Sequence, residues 1–129
     1  GLGTALMVFL NGTLKSGIET VLDLVDFDEH LKDVDIVVTG EGATDWQSVF
    51  GKVMQGVGVH CKKHHIPAVA IIGSMGSGAE DIFDYGIESI ITTGNNIMPL
   101  SDALNHAEEL YLGAARRMFR LLKAGMQMR

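Results

Sequence analysis

The chain has little of several features that would assign it to a class at once. One cysteine, Cys61, is present in 129 residues, so no disulfide forms within the chain and a reducing cytosol is the default compartment. No apolar run approaches the roughly 20 residues that span a bilayer, and no basic start followed by an apolar middle indicates a secretory signal. Positive charge is scarce, and the formal net charge is -6. This balance argues against a nucleic-acid surface and against attraction to anionic lipid.

The composition is that of a protein that folds around a core. Hydrophobic residues make up 47% of the chain and charged residues 20%, which argues against intrinsic disorder. A length of 129 residues suits one compact domain. The chain begins with Gly1 in what already has helical spacing, so we expect a piece of a longer protein.

Residues 1–33 are predicted to form a helical lead-in. A first helix is expected to end at Asn11, and Ser16 with Glu19 matches the capping box that opens a second helix. Asp28 is predicted to cap one further turn. The predicted apolar stripe of the second helix consists of Ile18, Val21, Leu22 and Val25.

The region 34–129 alternates between strands and helices. Apolar, largely β-branched runs predict strands at 35–39, 68–72 and 89–93. Helical spacing predicts helices at 49–65 and 79–85 and one long amphipathic helix that closes the chain. This order predicts an α/β protein: a partial, parallel, three-layer Rossmann-like domain, with two N-terminal helices and then three β-α units. Continuous apolar strands are typical of a sheet that helices cover on both faces.

A polar, glycine-containing turn follows each predicted strand. The turns read TGEGATD from Thr39, GSMGSG from Gly73 and TGNN from Thr93. Because parallel strands point the same way, we expect all three turns at the edge of the sheet where ligands of open α/β sheets bind. Glycines allow close backbone approach, and helix amino termini offer free N–H groups, so an anion or phosphate site is predicted there. Neither a P-loop nor a complete GxGxxG fingerprint is present.

The first turn carries the side chains with the most chemistry. Glu41 or Asp45 could bind a metal–nucleotide complex or accept a proton from a hydroxyl. Lys52 could reach a phosphate as a compact positive charge. Gln47 and Ser48 could orient a polar substrate.

A purely structural interpretation of these residues stays open. Thr44 and Gln47 match a capping box, and acidic residues in a first helical turn complement the helix dipole without any catalytic role. Ser77 and Glu80 match another capping box, and for these two residues capping ranks above function.

Metal-ligand spacing occurs in the helix predicted at 49–65. His60 and His64 are four residues apart, as are Cys61 and His65. His60 and Cys61 point about 100° apart on a helix, and no acidic or cysteine partner is close in sequence. A solvated helix face is therefore favoured over a zinc site.

The segment VVTGEGATDWQSVFGKVMQGVG, residues 37–58, resembles the signature of the bacterial type-1 glycerate kinases. In that family a strand leads into Thr-Gly-Glu-Gly, then Asp-x-Gln-Ser/Thr, then Gly-Lys. The flanking segments are also similar to the family, so the resemblance covers essentially the whole chain. Ala43 and Met54 depart from the usual residues, which bears on substrate preference more than on reaction type.

The resemblance implies a fragment of a kinase that transfers the γ-phosphoryl group of ATP to D-glycerate with Mg²⁺. The family's chains are close to three times longer and fold as two α/β domains with the active site between them. This chain therefore resembles the carboxyl-terminal portion, and in isolation it is expected to be inactive. A non-catalytic anion- or nucleotide-binding α/β module is the alternative.

Site residues follow from the resemblance and from the three turns. Glu41, Asp45 and Lys52 are the candidate catalytic residues, and Asp45 is also the candidate Mg²⁺ ligand. The residues predicted to bind substrate or phosphate are Thr39, Gly40, Gly42, Gln47, Ser48, Gly73, Ser74 and Gly76. The expected partners are ATP, D-glycerate and the rest of the kinase chain, in the cytoplasm, without nucleic acid or membrane. Whether the protein forms a homo-oligomer is left open.

Overall fold

The computed structural model describes residues 17–41, 49–76 and 78–129. Its elements, in chain order, are α1 (Gly17–Leu24), α2 (Phe27–His30), a 3-10 turn (Leu31–Asp33), β1 (Val37–Glu41), α3 (Val49–Lys63), β2 (Ala68–Ile72), a 3-10 helix (Ala79–Tyr85), β3 (Ile87–Thr92), α4 (Leu100–Asn105) and α5 (Ala107–Met126). The helix predicted before residue 12 lies outside the described residues. No helix in these ranges is long and apolar enough to cross a membrane.

The three strands form one parallel sheet in the order β1-β2-β3. Glu41 at the end of β1 pairs with Ile72, and Ile72 pairs in turn with Thr92 of β3. The carboxyl ends of the strands therefore lie side by side at one edge, which confirms the predicted parallel sheet. A backbone hydrogen bond of 2.9 Å from the Thr93 N–H to the Ile72 carbonyl continues this pairing past the end of β3.

Alternate residues of the central strand β2 belong to two separate cores. All five residues of the strand are buried, which is why it reads as a continuous apolar run. One core contains Ala68, Ala70 and Ile72 together with residues of α1 and α3. The other contains Val69 and Ile71 together with residues of α5. The molecule therefore has the predicted three layers, with helices on both faces of the sheet.

Helix α3 ends, and the chain turns into β2, at two residues whose backbone is not helical or lacks an N–H. His65 adopts a positive φ of 59°, and the Ile66 N–H reaches back to the Cys61 carbonyl at 2.9 Å. Pro67 has no N–H to donate, but its carbonyl accepts a hydrogen bond of 2.9 Å from the Val37 N–H at the start of β1. The end of α3 thus places β2 in register beside β1.

The amino-terminal helices differ from the sequence prediction in two ways. Helix α2 begins at Phe27 after Asp26, which has a left-handed φ of 52°, so Asp28 lies in the first turn and is not the cap. Val21 and Val25 are 53% and 52% exposed, and Leu22 is the buried residue of the predicted apolar stripe in α1. A short helix at the surface buries a narrower stripe than its apolar residues would allow.

The carboxyl-terminal half differs from the sequence prediction in three ways. The predicted helix at 79–85 is a 3-10 helix, bounded by Gly78 and Gly86, which both have positive φ. Strand β3 begins at Ile87, two residues earlier than predicted. The single long helix is two helices, because the backbone at His106 (φ -115°) leaves the helical region between α4 and α5.

Two glycines allow α3 to pack closely on the turn before β3. A Cβ atom at Gly58 would overlap the backbone carbonyl of Tyr85, and one at Gly86 would overlap the carbonyl of Gly58. Gly86 also has a φ of 95°, which favours glycine for backbone reasons alone. This backbone-to-backbone contact holds α3 against the sheet on the face opposite α5.

Candidate functional site

A cavity of about 500 Å³ lies at the carboxyl edge of the sheet, beside α4 and α5. The turns after β2 and β3 supply one wall, with Gly73, Ser74, Thr93 and Gly94. The two helices supply the opposite wall, which includes Leu100, Leu104, Leu110 and Tyr111. The second and third glycine turns therefore converge as the parallel sheet predicts.

The lining of this edge cavity is mostly apolar and uncharged. Among the described residues that line it, none carries a charge at neutral pH. Its polar groups, such as Ser74, Thr93 and Asn96, come from the strand ends and the loop after β3. A neutral ring or sugar fits such a lining, whereas a buried anion would lack a compensating cation.

The end of β1 borders the same region through Tyr111. A Cβ atom at Gly40 would lie 3.1 Å from the Ile71 carbonyl oxygen and 3.9 Å from Cε1 of Tyr111. The strand therefore leaves little room for a side chain at Gly40, a structural reason that the sequence prediction does not include. Thr39 is half-buried and pairs with Ala70, and the backbone of Glu41 is the last paired residue of β1.

Lys52 lies away from the edge cavity. Its exposed side chain lines a separate cavity of about 300 Å³ between α1 and α3, together with Glu19, Gln55 and Tyr85. The structure does not bring Lys52 together with Gly73 and Ser74. Gly76 is exposed, and its carbonyl accepts a hydrogen bond of 3.3 Å from the Ala79 N–H at the start of the 3-10 helix. The predicted site residues Gly42, Asp45, Gln47 and Ser48 lie outside the described residues.

Sequence reasoning missed the helical wall of the edge cavity. The helical spacing predicts Leu110 and Tyr111 only as part of the buried face of the last helix. The residues of α4, including Leu104 and the adjacent Met98, also line the cavity although Leu104 is 66% exposed. The sequence feature that indicates a site here is the Asn-Asn pair after β3, because ligands of α/β sheets bind beyond the carboxyl ends of the strands. This pair does not indicate the helical wall.

A second cluster of ionisable groups joins α1, α2 and α3. His60 on α3 lies between two carboxylates, with Nδ1 2.6 Å from Oδ1 of Asp28 and Nε2 2.8 Å from Oε2 of Glu19. His64, one turn further along α3, has Nε2 3.7 Å from the same Asp28 oxygen. Both ring nitrogens of His60 donate only when the imidazole is protonated, so this geometry favours the charged form.

The pKa values in this cluster follow from its geometry. Burial alone would lower the pKa of His60, but the hydrogen bonds to Glu19 and Asp28, with their charges, raise it above the ordinary value of 6.5. Burial alone would raise the pKa of Asp28, but the hydrogen bond and charge of His60, with smaller contributions from His64 and Lys63, lower it below 3.8. The cluster is therefore an ion pair that attaches the helical lead-in to α3.

We expect the stabilisation by His60 to depend on pH. The stabilisation that comes from the raised pKa of His60 is fully present below the unfolded pKa of 6.5, and it is lost as the pH rises through the folded pKa. The stabilisation that comes from the lowered pKa of Asp28 is present above pH 3.8 and is lost as the pH falls further.

His60→Gln should therefore lower the free energy of unfolding most between these two limits, and much less at pH 9. The expected loss is about 1 kcal/mol, because both carboxylates are partly exposed and solvent weakens the ion pair. Urea denaturation across pH measures this difference.

The control for this change is His30→Gln, since His30 is an exposed residue at the end of α2. It should lower the free energy of unfolding at pH 5 by less than His60→Gln does, since His30 does not contact the two carboxylates of the cluster. A His60→Gln deficit that stays constant from pH 5 to pH 9 would contradict the ion-pair assignment and indicate a packing role only.

In the part of the chain that the structure describes, Cys61 and the neighbouring histidines are not arranged as a metal-binding group, and Cys61 is not an activated thiol. Burial, with the negative charge of Asp28, raises the pKa of the Cys61 thiol to about 11, so the nucleophilic thiolate is scarce at neutral pH. Within residues 17–41, 49–76 and 78–129, no group of three or more His, Cys, Asp or Glu side chains is placed to hold a metal ion. His60 instead makes the carboxylate contacts described above.

A parallel sheet with helices on both faces defines the class of α/β proteins. The sequence model of the Glycerate kinase family matches residues 1–123. The chain belongs to that family. The solved structures include a crystal structure from Salmonella typhimurium LT2, provisionally named glycerate kinase 2, with a TM-score of 0.75 and 35% identity over 99% of this chain and 32% of that chain.

Curated relatives from several bacteria align with nearly the whole chain. It is 41% identical to a glycerate kinase of Halalkalibacterium halodurans over 92% of this chain, and 36% identical to that of Bacillus subtilis over 99%. It is 38% identical to the glycerate 2-kinase of Escherichia coli over 98%. These alignments cover 31%, 34% and 33% of the relatives, so the chain spans about a third of their length.

Proposed function

We propose that this chain is the carboxyl-terminal portion of a bacterial type-1 glycerate kinase, which transfers the γ-phosphoryl group of ATP to D-glycerate in the cytoplasm. The observation that carries the proposal is positional. The family signature from Thr39 to Lys52 starts on the last residues of β1, at the sheet edge where β2 and β3 open onto the cavity. A helical lead-in at 1–33 and the α/β region 34–129 supply one side of a cleft, and the rest of the kinase chain supplies the other.

Phosphoryl transfer requires positioning and charge neutralisation more than covalent chemistry by the protein. In this proposal Asp45 or Glu41 accepts the proton of the attacking glycerate hydroxyl. Lys52 neutralises charge on the phosphoryl group or on the glycerate carboxylate. This role requires its side chain to move out of the cavity between α1 and α3. The groups proposed to bind phosphate or substrate are Thr39, Gly40, Gly42, Gln47, Ser48, Gly73, Ser74 and Gly76.

Magnesium fits this arrangement as a partner of the nucleotide. Mg²⁺ in kinases is usually held by one or two carboxylates together with substrate phosphates, so it does not need the larger acidic group that is absent from the described residues. Asp45 is the residue proposed to hold it. The ion would neutralise charge on the ATP phosphates, while the residues of this chain orient the acceptor hydroxyl.

The experiment that tests the function uses the full-length protein. We expect ATP- and Mg²⁺-dependent conversion of D-glycerate into phosphoglycerate, with the 2- and 3-phosphates resolved by NMR. The isolated 129-residue chain should be inactive, because one side of the cleft is missing. Absence of any glycerate phosphorylation by a folded full-length protein would overturn the proposal.

A non-catalytic binding module is the second candidate, and the limited coverage of the relatives favours it for the isolated chain. Titration of this chain with ATP and, separately, with glycerate distinguishes the two roles. Binding by the short chain together with an inactive full-length protein would favour the module over the enzyme.

A further inference from the structure

We infer that the edge cavity holds the nucleobase and ribose of the phosphoryl donor, and that the charged parts of both substrates lie outside it, toward the end of β1. This inference rests on the proposed kinase function and adds the assignment of the nucleotide to the turns after β2 and β3.

The charge of the lining favours a nucleoside in the edge cavity. The described side chains that line it are neutral, and its polar groups are hydroxyls and an amide, such as Ser74, Thr93 and Asn96. A triphosphate or the glycerate carboxylate placed there would gain no cation from these described side chains, and an anion that loses hydration without such a partner is destabilised. A nucleobase and a ribose carry no charge and form hydrogen bonds with such groups.

The second argument is size and shape. A volume of about 500 Å³ lies within the range of small-molecule sites. Leu100, Leu104 and Leu110 form an apolar wall, and the half-buried Tyr111 adds an aromatic ring. Glycerate has three carbon atoms with two hydroxyls and a carboxylate, so it would leave this wall unfilled. A purine ring would cover it, and stacking on an aromatic side chain is a usual mode of base binding.

The edge cavity borders the end of β1, and this position sets the direction in which the phosphates of a bound nucleotide would extend. Tyr111 extends from the cavity to the neighbourhood of Gly40 on β1. The pairing of Glu41 with Ile72, and of Ile72 with Thr92, places the end of β1 two strands from the end of β3, on the order of 10 Å. A nucleotide seated beside α4 therefore directs its phosphates across β2 toward the end of β1.

Another segment of the full-length chain is the competing occupant. Ile97 is fully exposed, and Leu100 and Leu104 are 75% and 66% exposed, so a protein segment would also gain by covering them. The nucleoside is favoured because hydroxyl and amide groups are concentrated at the wall formed by the strand ends and the loop after β3.

The test is Leu104→Trp in the full-length enzyme, which fills the cavity from a largely exposed position. We expect the KM for ATP and the inhibition constant of adenosine to rise about tenfold, while the KM for glycerate and the inhibition constant of tripolyphosphate stay within twofold. The matched control is Leu112→Trp on α5, a 51% exposed leucine that does not line the cavity. It should leave all four constants at the parent values.

Two results would overturn the inference while leaving the kinase function intact. A rise in the KM for glycerate alone would place the acceptor in the cavity, and four unchanged constants would exclude the cavity as the nucleoside site. If Leu104→Trp does not fold, Leu104→Ala should still weaken adenosine binding severalfold through lost apolar contact. If the parent enzyme does not phosphorylate glycerate, the proposed function fails, and displacement of labelled ATP by adenosine in equilibrium dialysis still tests the cavity.

Discussion

Replacing Gly58 with alanine is expected to lower the free energy of unfolding by about 3 kcal/mol, although alanine favours helices. The reason is the backbone contact between α3 and the turn before β3. The new methyl group would overlap the Tyr85 carbonyl and lie 3.2 Å from the Ile87 side chain. A carbonyl in a buried turn cannot rotate away as a surface side chain can, so the helix itself must shift. Urea denaturation of the parent and the variant measures the loss.

The same substitution at Gly113 is the matched control. Gly113 lies in α5, and the heavy atom nearest to the added methyl group would be the flexible Arg117 Nη1 at 3.5 Å. Gly113→Ala should therefore gain up to about 1 kcal/mol from helix propensity alone. If both variants change stability in the same direction, close packing at Gly58 does not control the position of α3.

In the proposed mechanism Asp45 is a candidate general base, so Asp45→Asn in the full-length protein should lower kcat for glycerate phosphorylation by about 100-fold or more, the usual cost of removing such a base. Asparagine has nearly the same shape, so folding should be preserved. Initial-rate assays at saturating ATP and Mg²⁺ measure the effect. A Mg²⁺ titration of both proteins separates the two roles: a higher Mg²⁺ concentration for half-maximal activity in the variant would identify Asp45 as a metal ligand, and an unchanged concentration would favour its role as the base.

Asp33→Asn is the control, since Asp33 is an exposed carboxylate in the 3-10 turn before β1. Parent-like kcat in Asp45→Asn would remove that residue from the mechanism.

Lys52→Ala tests the second charged residue of the proposal, whose side chain lines the cavity between α1 and α3. The variant should have a lower kcat/KM for glycerate than the parent protein. Parent-like kcat/KM would remove Lys52 from the mechanism.

The sheet could be predicted from the sequence because its signals are local. Strand β2 has the predicted bounds, since Pro67 and Gly73 enclose five apolar residues. The parallel order follows from alternation with helices, and with it the meeting of Gly73 and Gly94 at one edge. Each of these inferences needs only residues that are adjacent in the chain or the general rules of α/β topology.

The features that could not be predicted depend on distant residues. His60 and Asp28 are separated by 32 positions, so neither the ion pair nor the loss of Asp28 as a cap is visible in any sequence window. The direction of Lys52 is set by how α1 lies along α3, and a Cβ atom on Gly56 would come within 2.7 Å of Ile18. The helical wall of the edge cavity requires the break at His106, where no glycine or proline marks the boundary.

The alternation of β2 between two cores allows the two halves of the protein to vary independently. Changes at Val69 or Ile71 reach α5 and thus one flank of the edge cavity, whereas changes at Ala70 or Ile72 reach α1 and α3. A substitution on one face of β2 is therefore expected to disturb one helical layer and to leave the other in place. A single strand in this way serves as the common support of two separately packed layers.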